Sequence, residues 1–249
     1  MNREYKILPL VLGSIELDKS AMTYFAYCGT KIRIPIVCFY IQGGDKHILV
    51  DAGAPAAVSQ KHCPIDPVTD IQSLEEALGK IDLTPDDIDI VIQTHLHHDH
   101  VGNTAKCRRA KVIVQEDELR FALSPHPLFA NLYGIDLLQG VNFCPIKGDA
   151  DIADGIRVLL TPGHTMGSQS VCIRTSQGQA IITGFCSIKE TFEVPAEVKE
   201  MLPNWLVFTP GIHTDPLASF DNALKIKGMA DILIPNHSME LLHREQAFP

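Results

Sequence analysis

The sequence predicts an α/β protein in which a pair of mixed β-sheets is covered by helices. Several apolar runs have strand length, are rich in Val and Ile, and are nearly continuous, which is typical of strands buried on both faces. These runs are IRIPIVCFYI, HILVDAG, IDIVIQ, KVIVQ, IRVLLT, SVCIRT, AIITG and DILIP. The first of them cluster before the first convincing helix, and this order favours two sheets over a single doubly wound sheet.

Helical periodicity occurs between the strand patterns. In residues 73–81 the apolar side chains fall on one helical face, and Ser73 with Glu76 has the spacing of a capping box. QEDELRFAL and SFDNALKIKGMA follow the same pattern. Because binding and catalytic groups concentrate on the connections between such elements, we expect the functional residues on loops at strand ends.

Length and composition indicate one acidic folded unit. The chain has 249 residues, of which 45% are hydrophobic, enough for a substantial core. No repeat and no Pro/Gly/Ser-rich linker divides it, so we expect a single domain over residues 1–249. The formal net charge is −9 and the basic residues are scattered. Such a charge distribution repels phosphate backbones, and we expect no nucleic-acid partner.

Cysteine usage and hydropathy bear on location. The seven cysteines show no CxxC spacing, which favours reduced thiols over a disulfide framework. No apolar run reaches the roughly 18 residues of a membrane-spanning helix. The stretch MNREYKILPLVLG has too short an apolar segment for a signal peptide. We therefore expect a cytoplasmic protein with no membrane partner.

The segment THLHHDHVGN, residues 94–103, directly follows the apolar run IDIVIQ. His95 and His97 are two residues apart after a strand, so an extended backbone points both imidazoles the same way. Asp99 and His100 follow as the chain turns. A catalytic zinc ion takes three protein ligands from imidazole nitrogen and carboxylate oxygen and keeps one position open. The loop can therefore begin two metal sites, and further ligands must come from elsewhere.

Other strand ends offer the missing ligands. LLTPGHTMGS places His164 after a strand, DILIPNHS places His237 after another, and AIITGFCSIKE offers Cys186. If these ends converge, the first site consists of His95, His97 and His164. The second consists of Asp99, His100 and His237, with Cys186 as a further candidate. The alternative is a surface histidine cluster without metal, but five histidines at strand ends favour a dinuclear hydrolytic site.

The motifs THLHHDHVGN, ILVDAG, TPGHTMGSQS and IPNHS resemble, in that order, the successive motifs of the metallo-β-lactamase fold superfamily. The resemblance implies an αββα sandwich of two mixed β-sheets with helices on the outer faces. It also implies two metal ions in a groove at one edge of the sheets. Zinc is the expected metal, with iron or manganese as alternatives. LLTPGHTMGSQSV followed by IITGFCSIKETF is most similar to the N-acyl homoserine lactonase branch.

The sequence departs from that family at two positions. Phe185 stands where most of these hydrolases have an aspartate that bridges both metals, and Ile188 stands where lactonases have a tyrosine. Cys186 falls where one subclass of metallo-β-lactamases has a thiolate ligand. CSIK resembles the CLIK segment of that subclass, whose lysine holds a substrate carboxylate. The resemblance thus implies that Cys186 replaces the lost carboxylate at the second site, and that Lys189 pairs with an anionic substrate group. The alternatives are simple packing for the thiol and a solvated charge for the lysine.

Further residues near these motifs are candidates for supporting roles. Asp51 in LVDAG resembles the buried aspartate that braces the ligand loops of the family, although a strand-end turn would also explain it. His213 in TPGIHTDP could cover the groove, or it could be ordinary polar surface. Together with Phe185 and Lys189 it completes the candidates for substrate contact. His98 is expected to face solvent or to support the ligands.

The chemistry expected of such a site is attack of zinc-bound hydroxide on a carbonyl, with Asp99 as the catalytic residue that carries a proton to the leaving group. The first hypothesis is a metallo-hydrolase that opens a small cyclic ester. The second is hydrolysis of a thioester, as in glyoxalase II, or of a cyclic amide, as in β-lactamases. A metal-poor ligand-binding protein and iron-dependent oxygen chemistry are further alternatives. The expected partners are a small-molecule substrate and, as a homodimer, a second copy of the chain.

Overall fold

The computed structural model describes residues 3–249, and across them it has twelve strands in two sheets. The strands of the first sheet are β1 (Lys6–Asp18), β2 (Lys31–Gln42), β3 (Ile48–Val50), β4 (Val68–Asp70), β5 (Ile90–Ile92), β6 (Lys111–Gln115) and β7 (Phe143–Ile146). Those of the second are β8 (Ala150–Ala153), β9 (Ile156–Leu160), β10 (Gln169–Thr175), β11 (Gly178–Ile182) and β12 (Ile232–Ile234).

Seven α-helices connect or cover these strands in residues 3–249. They are α1 (Ala56–His62), α2 (Leu74–Gly79), α3 (His98–Val101), α4 (Glu116–Leu123), α5 (Lys189–Phe192), α6 (Ala196–Met201) and α7 (Pro216–Met229). Short 3-10 helices occur at Lys19–Ala21, Pro85–Asp87, Thr104–Lys106, Ala130–Leu132, Ile135–Leu138 and Met239–His243. Within residues 3–249 no helix has the length and apolar character needed to cross a bilayer. The capping box predicted at Ser73 and Glu76 is formed at the start of α2.

Both sheets are mixed, as predicted. The seven-stranded sheet has the order β4-β1-β2-β3-β5-β6-β7, antiparallel from β4 to β3 and parallel from β3 to β7. The five-stranded sheet has the order β12-β11-β10-β9-β8, and β11 with β12 is its parallel pair. Parallel neighbours end at the same edge of a sheet, so the segments that follow β3 and β5 start side by side, and so do those that follow β11 and β12.

Alternation along the strands builds three apolar layers. Val50 of β3 faces the second sheet and joins the central core, whereas its neighbour Leu49 faces outward and packs with Leu78 of α2. Ile182 and Ile181 of β11 divide in the same way, because Ile182 joins the central core and Ile181 packs in the layer that α7 covers. Strands buried on both faces need apolar residues at consecutive positions, which explains the continuous runs. The predicted αββα sandwich is confirmed.

The sequence patterns do not predict β1, β4, β7 and β8. Strand β1 is the 13-residue segment KILPLVLGSIELD, which pairs along most of its length with β2. Pro9 and Gly13 interrupt its pattern, and the register shifts between Val11 and Gly13. Glycine is common at such a bulge, whereas Pro9 lies in the regular part of the pairing. A Cβ at Gly13 would lie 2.7 Å from the Thr69 carbonyl oxygen, so glycine permits the close approach of β4.

We predict that Gly184→Ala destabilises the fold, because a Cβ there would lie 1.7 Å from the Gln169 carbonyl oxygen. Backbone must move to admit the methyl group, at a cost of roughly 1–3 kcal/mol or more in the free energy of unfolding. Urea denaturation measures this. Gly228→Ala is the matched control, since an added Cβ meets nothing within 4 Å there and α7 favours alanine. Equal stability of the two variants would contradict the packing argument.

Candidate metal centre

The ligand candidates follow strands of both sheets and meet at one edge of the sandwich. In the first sheet, Asp51 follows β3, and the segment from Thr94 to α3 follows β5. In the second sheet, His164 follows β9 and His237 follows β12. Pairing of Gln169 with the Thr94 carbonyl, at 2.8 Å, joins the two sheets beside the loop of residues 94–103. The convergence that the sequence analysis required is therefore present.

The first cluster consists of His95, His97 and His164, and their donor atoms all lie within 4.8 Å of one another. The Nε2 atoms of His95 and His164 are 3.3 Å apart. The ring of His97 lies edge-on to both other rings, with centroid distances of 4.6 and 4.8 Å. All three side chains are buried. We call this cluster the first triad.

The second cluster, the second triad, consists of Asp99, His100 and His237 within the same 4.8 Å limit. The Nε2 atoms of His100 and His237 are 3.3 Å apart. Oδ2 of Asp99 lies 3.5 Å from the first of these nitrogens and 3.9 Å from the second. The rings of His95 and His100 are 4.0 Å apart, so the two triads adjoin. The five histidines do not lie on the surface, because all of them are buried.

The backbone and neighbouring side chains fix the Nδ1 atom of four imidazoles. Nδ1 of His164 donates to the Ile212 carbonyl oxygen at 2.7 Å. Nδ1 of His237 lies 3.2 Å from the Pro35 carbonyl oxygen. The Nδ1 atoms of His100 and His95 face Asp51 Oδ2 at 2.7 Å and Thr94 Oγ1 at 3.1 Å. With Nδ1 engaged in this way, Nε2 of each ring is the atom that faces the centre.

Burial sets the charge state of most of these rings. It lowers the pKa of His164 to about 3 and of His237 to about 4, and it holds those of His95 and His97 well below the usual range. Burial also opposes a charge on His100, but the carboxylates of Asp99 and Asp51 outweigh it and raise the pKa of His100 to about 9. Burial alone would raise the pKa of Asp99, but the surrounding histidines outweigh burial and lower this pKa.

The donor atoms fit a divalent cation. Thr94 Oγ1 donates to Asp51 Oδ2 at 2.8 Å, so it can only accept from His95 Nδ1–H. His164 Nδ1–H is committed to a carbonyl oxygen. In their neutral forms both rings therefore present unprotonated Nε2 atoms to each other at 3.3 Å, with no hydrogen between them. A cation that both lone pairs can bind removes this repulsion, and imidazole with carboxylate is a set that zinc accepts.

Asp51 contacts the ligand segments, as the expected bracing residue would. Its backbone is left-handed, with φ 59°, which aspartate tolerates better than most residues. The buried carboxylate accepts from the Thr94 backbone N–H at 2.7 Å, from the Thr94 hydroxyl at 2.8 Å and from His100 Nδ1 at 2.7 Å. It thus connects the residue before His95 with a member of the second triad.

Cys186 is buried, and its sulfur lies 3.3 Å from Nε2 of His164, a member of the first triad. The family resemblance implied a ligand of the second site instead. Burial raises the pKa of the Cys186 thiol well above its ordinary value, with a further contribution from Asp99. The sulfur is therefore a protonated thiol unless a cation binds it.

The three candidates for substrate contact differ in position. Lys189 is exposed at the start of α5 and pairs with Glu240 at 3.2 Å and with Glu193 at 3.8 Å. Phe185 is 1% exposed and packs in the apolar layer beneath α7. His213 lies next to Ile212, whose carbonyl holds His164, and its ring meets Tyr24 edge-on at 5.1 Å.

His98 does not face solvent. It is buried, with Nε2 3.3 Å from Cys63 Sγ and Nδ1 3.1 Å from Ser59 Oγ, and its ring stacks on His62. It belongs to neither triad. Of the two positions expected for His98, facing solvent or supporting the ligands, the structure agrees with the second.

One buried carboxylate was not predicted. Glu118 of α4 is 0% exposed and hydrogen-bonds to the loops of the first triad. A signal for it was present in QEDELRFAL, because Glu118 is four residues from Ala122 and shares its buried face. A charged residue on the apolar face of a helix is seldom without a partner.

Comparison with known families agrees with this geometry. The family model for the metallo-beta-lactamase superfamily matches residues 33–228. The chain belongs to the metallo-beta-lactamase superfamily. It is 29% identical over 200 residues to the N-acyl homoserine lactonase AiiA of Bacillus thuringiensis subsp. kurstaki. This alignment covers 76% of the present chain and 78% of the relative. It is 27% identical over 223 residues to the N-acyl homoserine lactonase AiiB of Rhizobium rhizogenes, covering 77% and 80%.

A solved structure of an N-acyl homoserine lactone hydrolase, with N-hexanoyl-L-homoserine bound at its catalytic metal centre, superposes with a TM-score of 0.78. The identity is 26%, and the match covers 98% of this chain and 96% of the other. The resemblance to the lactonase branch of the superfamily is confirmed, and so is the expectation of a lactonase-like metallo-hydrolase, since its homologues are hydrolases of this kind.

We predict that Asp51→Asn weakens zinc binding about 10–100-fold, the usual cost of losing a group that orients a metal ligand. The amide can no longer accept all three hydrogen bonds, so Thr94 and His100 lose their common anchor. Competition with a chromophoric chelator measures the affinity. Asp82→Asn is the matched control, because Asp82 is also left-handed, with φ 58°, but exposed. If both variants bind zinc as the unmodified chain does, Asp51 is not the brace.

Proposed function

We propose that the chain is a metal-dependent hydrolase that opens a small cyclic ester, with zinc bound by both triads. The observation that carries the proposal is the pair of adjoining buried triads, each with its donor atoms within 4.8 Å of one another. The names of the N-acyl homoserine lactonases among the relatives support a lactone as the ester. Iron or manganese would suit the same donors.

Zinc at such a site polarises a carbonyl and lowers the pKa of water to about 7, which supplies a nucleophile at neutral pH. The protein contributes fixed, uncharged imidazoles. His95, His97 and His164 need no deprotonation to bind a cation, because burial already keeps them neutral. The Nδ1 contacts of His95 and His164 then reduce the cost of ordering these two rings when the metal binds.

Asp99 is the proposed proton carrier. Opening the ring adds water to the acyl carbon and breaks the bond from that carbon to the ring oxygen, which must gain a proton to leave as an alcohol. Oδ2 of Asp99 lies against His100 and His237, which leaves Oδ1 to accept a proton from the attacking water and return it to the ring oxygen. The low pKa of Asp99 favours the ionised, accepting form.

Cys186 is the proposed replacement for the carboxylate that Phe185 does not supply. Its sulfur is within 3.3 Å of His164, and a thiolate is a good zinc ligand. Binding of a cation would offset the burial that otherwise keeps the thiol protonated. Of the proposed substrate contacts, His213 has the strongest support, because the charge of Lys189 is already paired and the ring of Phe185 is buried.

We predict that Cys186→Ser lowers the zinc affinity and abolishes the sulfur-to-metal charge-transfer band of the cobalt-substituted protein. The hydroxyl of serine is a far weaker ligand than thiolate, while its size is similar. Cys172→Ser is the matched control, because Cys172 is half-buried in the outer layer beneath α7. A cobalt spectrum of the unmodified chain without such a band, or one that survives in Cys186→Ser, excludes the thiolate ligand.

We predict that the zinc-loaded chain hydrolyses N-acyl homoserine lactones, measured by proton release and by mass spectrometry of the ring-opened acid. The double variant His95→Ala, His97→Ala should lose at least roughly 10³-fold in kcat/KM, because metal catalysis supplies several kcal/mol. His126→Ala, at an exposed histidine, should retain activity.

A thioester and a β-lactam belong in the same substrate panel. Faster turnover of either would overturn the lactone assignment while keeping the hydrolase. Less than one metal per chain after zinc supplementation, with no turnover of any substrate, would instead favour a ligand-binding protein on this scaffold.

A further inference from the structure

Glu118 is a buried carboxylate that the proposed reaction does not use. Its Oε1 accepts from the Leu96 backbone N–H at 2.9 Å and from the Tyr133 hydroxyl at 3.2 Å. Its Oε2 accepts from the Thr165 hydroxyl at 2.6 Å and from the Gly167 backbone N–H at 3.1 Å. A single side chain of α4 therefore holds groups from three separate loops.

Each of these loops carries or touches a member of the first triad. Leu96 lies between His95 and His97 in the chain, and Thr165 directly follows His164. The Tyr133 ring packs edge-on against His97, with centroids 4.8 Å apart. The position of Glu118 thus fixes all three imidazoles of that triad relative to one another, although it contacts none of them.

The second triad is held by other groups. Nδ1 of His100 contacts the carboxylate of Asp51, and Nδ1 of His237 contacts the Pro35 carbonyl oxygen. Asp51 reaches the first triad only through Thr94, which precedes His95. The two buried carboxylates therefore divide the support of the site between them.

The chemistry of the partners requires a carboxylate at position 118. Both N–H groups can only donate, and an amide of the same shape would have to turn its own N–H₂ toward one of them. Burial raises the pKa of Glu118, while the four hydrogen bonds oppose that rise. Among residues 3–249, no lysine, arginine or histidine forms a salt bridge with Glu118. A buried anion without a cationic partner is costly, so positive charge in the adjoining triads would stabilise it.

We propose that Glu118 is a positioning residue that sets the metal affinity of the first triad selectively, and this inference rests on the proposed metal-dependent function. Its carboxylate holds the loops of His95, His97 and His164 at the separation that one ion requires. It forms no hydrogen bond with the second triad or with the groups that hold it, and it reaches His100 only through its charge.

Glu118→Gln tests the proposal against Glu116→Gln, the same substitution on the same helix at a partly exposed residue paired with Arg120. Zinc affinity is measured by chelator competition in two backgrounds that each keep one triad. In His237→Ala, which keeps the first triad, Glu118→Gln should weaken the remaining ion about 10–100-fold. In His164→Ala, which keeps the second, it should change the affinity only a few-fold, through the lost charge alone. Glu116→Gln should change neither.

The cobalt spectrum gives a second readout that general destabilisation would not produce. Glu118→Gln in the His237→Ala background should shift the visible bands of the bound ion, because the angles among its three nitrogens change. If Glu118→Gln does not fold, Tyr133→Phe and Thr165→Val each remove one hydrogen bond from the carboxylate and keep most of the side-chain volume. Each should weaken the first ion several-fold and leave the second unchanged.

The outcomes separate the two proposals. If the unmodified chain binds fewer than one zinc ion, the metal-dependent function fails before Glu118 is considered. If it binds two, and the Glu118, Tyr133 and Thr165 variants weaken both ions equally or neither, the metal site stands and the selective role of Glu118 is overturned.

Discussion

Burial of uncharged imidazoles at a common edge of two sheets is the constraint on which the rest of this structure depends. A buried imidazole must have its N–H satisfied, and here carbonyl oxygens, a threonine hydroxyl and a carboxylate satisfy Nδ1. For His95 and His164 the lone pair on Nε2 is then left inside the cluster, where each faces the other. His100 differs, because burial is outweighed by the carboxylates of Asp99 and Asp51, which raise its pKa to about 9. The arrangement that makes the apo site unfavourable also makes it ready for a cation.

The fold supplies this edge through strand direction. Parallel pairing of β3 with β5 and of β11 with β12 sends Asp51, the histidine loop and His237 out on the same side. The loops cannot hold themselves in register, because they lack backbone ladders of their own. Asp51 and Glu118 perform that task from the first sheet and from α4, and both do so by accepting hydrogen bonds from backbone N–H groups of the ligand loops. A carboxylate suits this position because it accepts several bonds at once.

Prediction from sequence succeeded where the signal was local. His95, His97, Asp99 and His100 lie in one segment, and the long apolar runs mark strands that are buried on both faces. It failed for β1, where Pro9 and a bulge near Gly13 break the alternation, and for Glu118. The role of Glu118 depends on loops that are 15 to 49 residues away in the chain, and the sequence of its own helix does not indicate which residues they contribute. Hydrogen bonds between residues far apart in the chain leave no periodic pattern by which the sequence could reveal them.

Packing explains the position of Phe185, the residue that stands where the family resemblance implies a bridging carboxylate. Phe185 joins the layer beneath α7, whereas Cys186, one residue on, joins the cluster with Ile188 near the ends of β1 and β2. The chain bends at residues 184–186, and the two neighbouring side chains enter different layers, the phenyl ring beneath α7 and the sulfur toward the ends of β1 and β2. The charges then balance. Two divalent ions would bring four positive charges, and Asp99, the Cys186 thiolate, Asp51 and Glu118 would bring four negative ones. A thiolate at position 186 would supply the fourth negative charge, whereas a neutral residue there would leave that charge to the bound nucleophile.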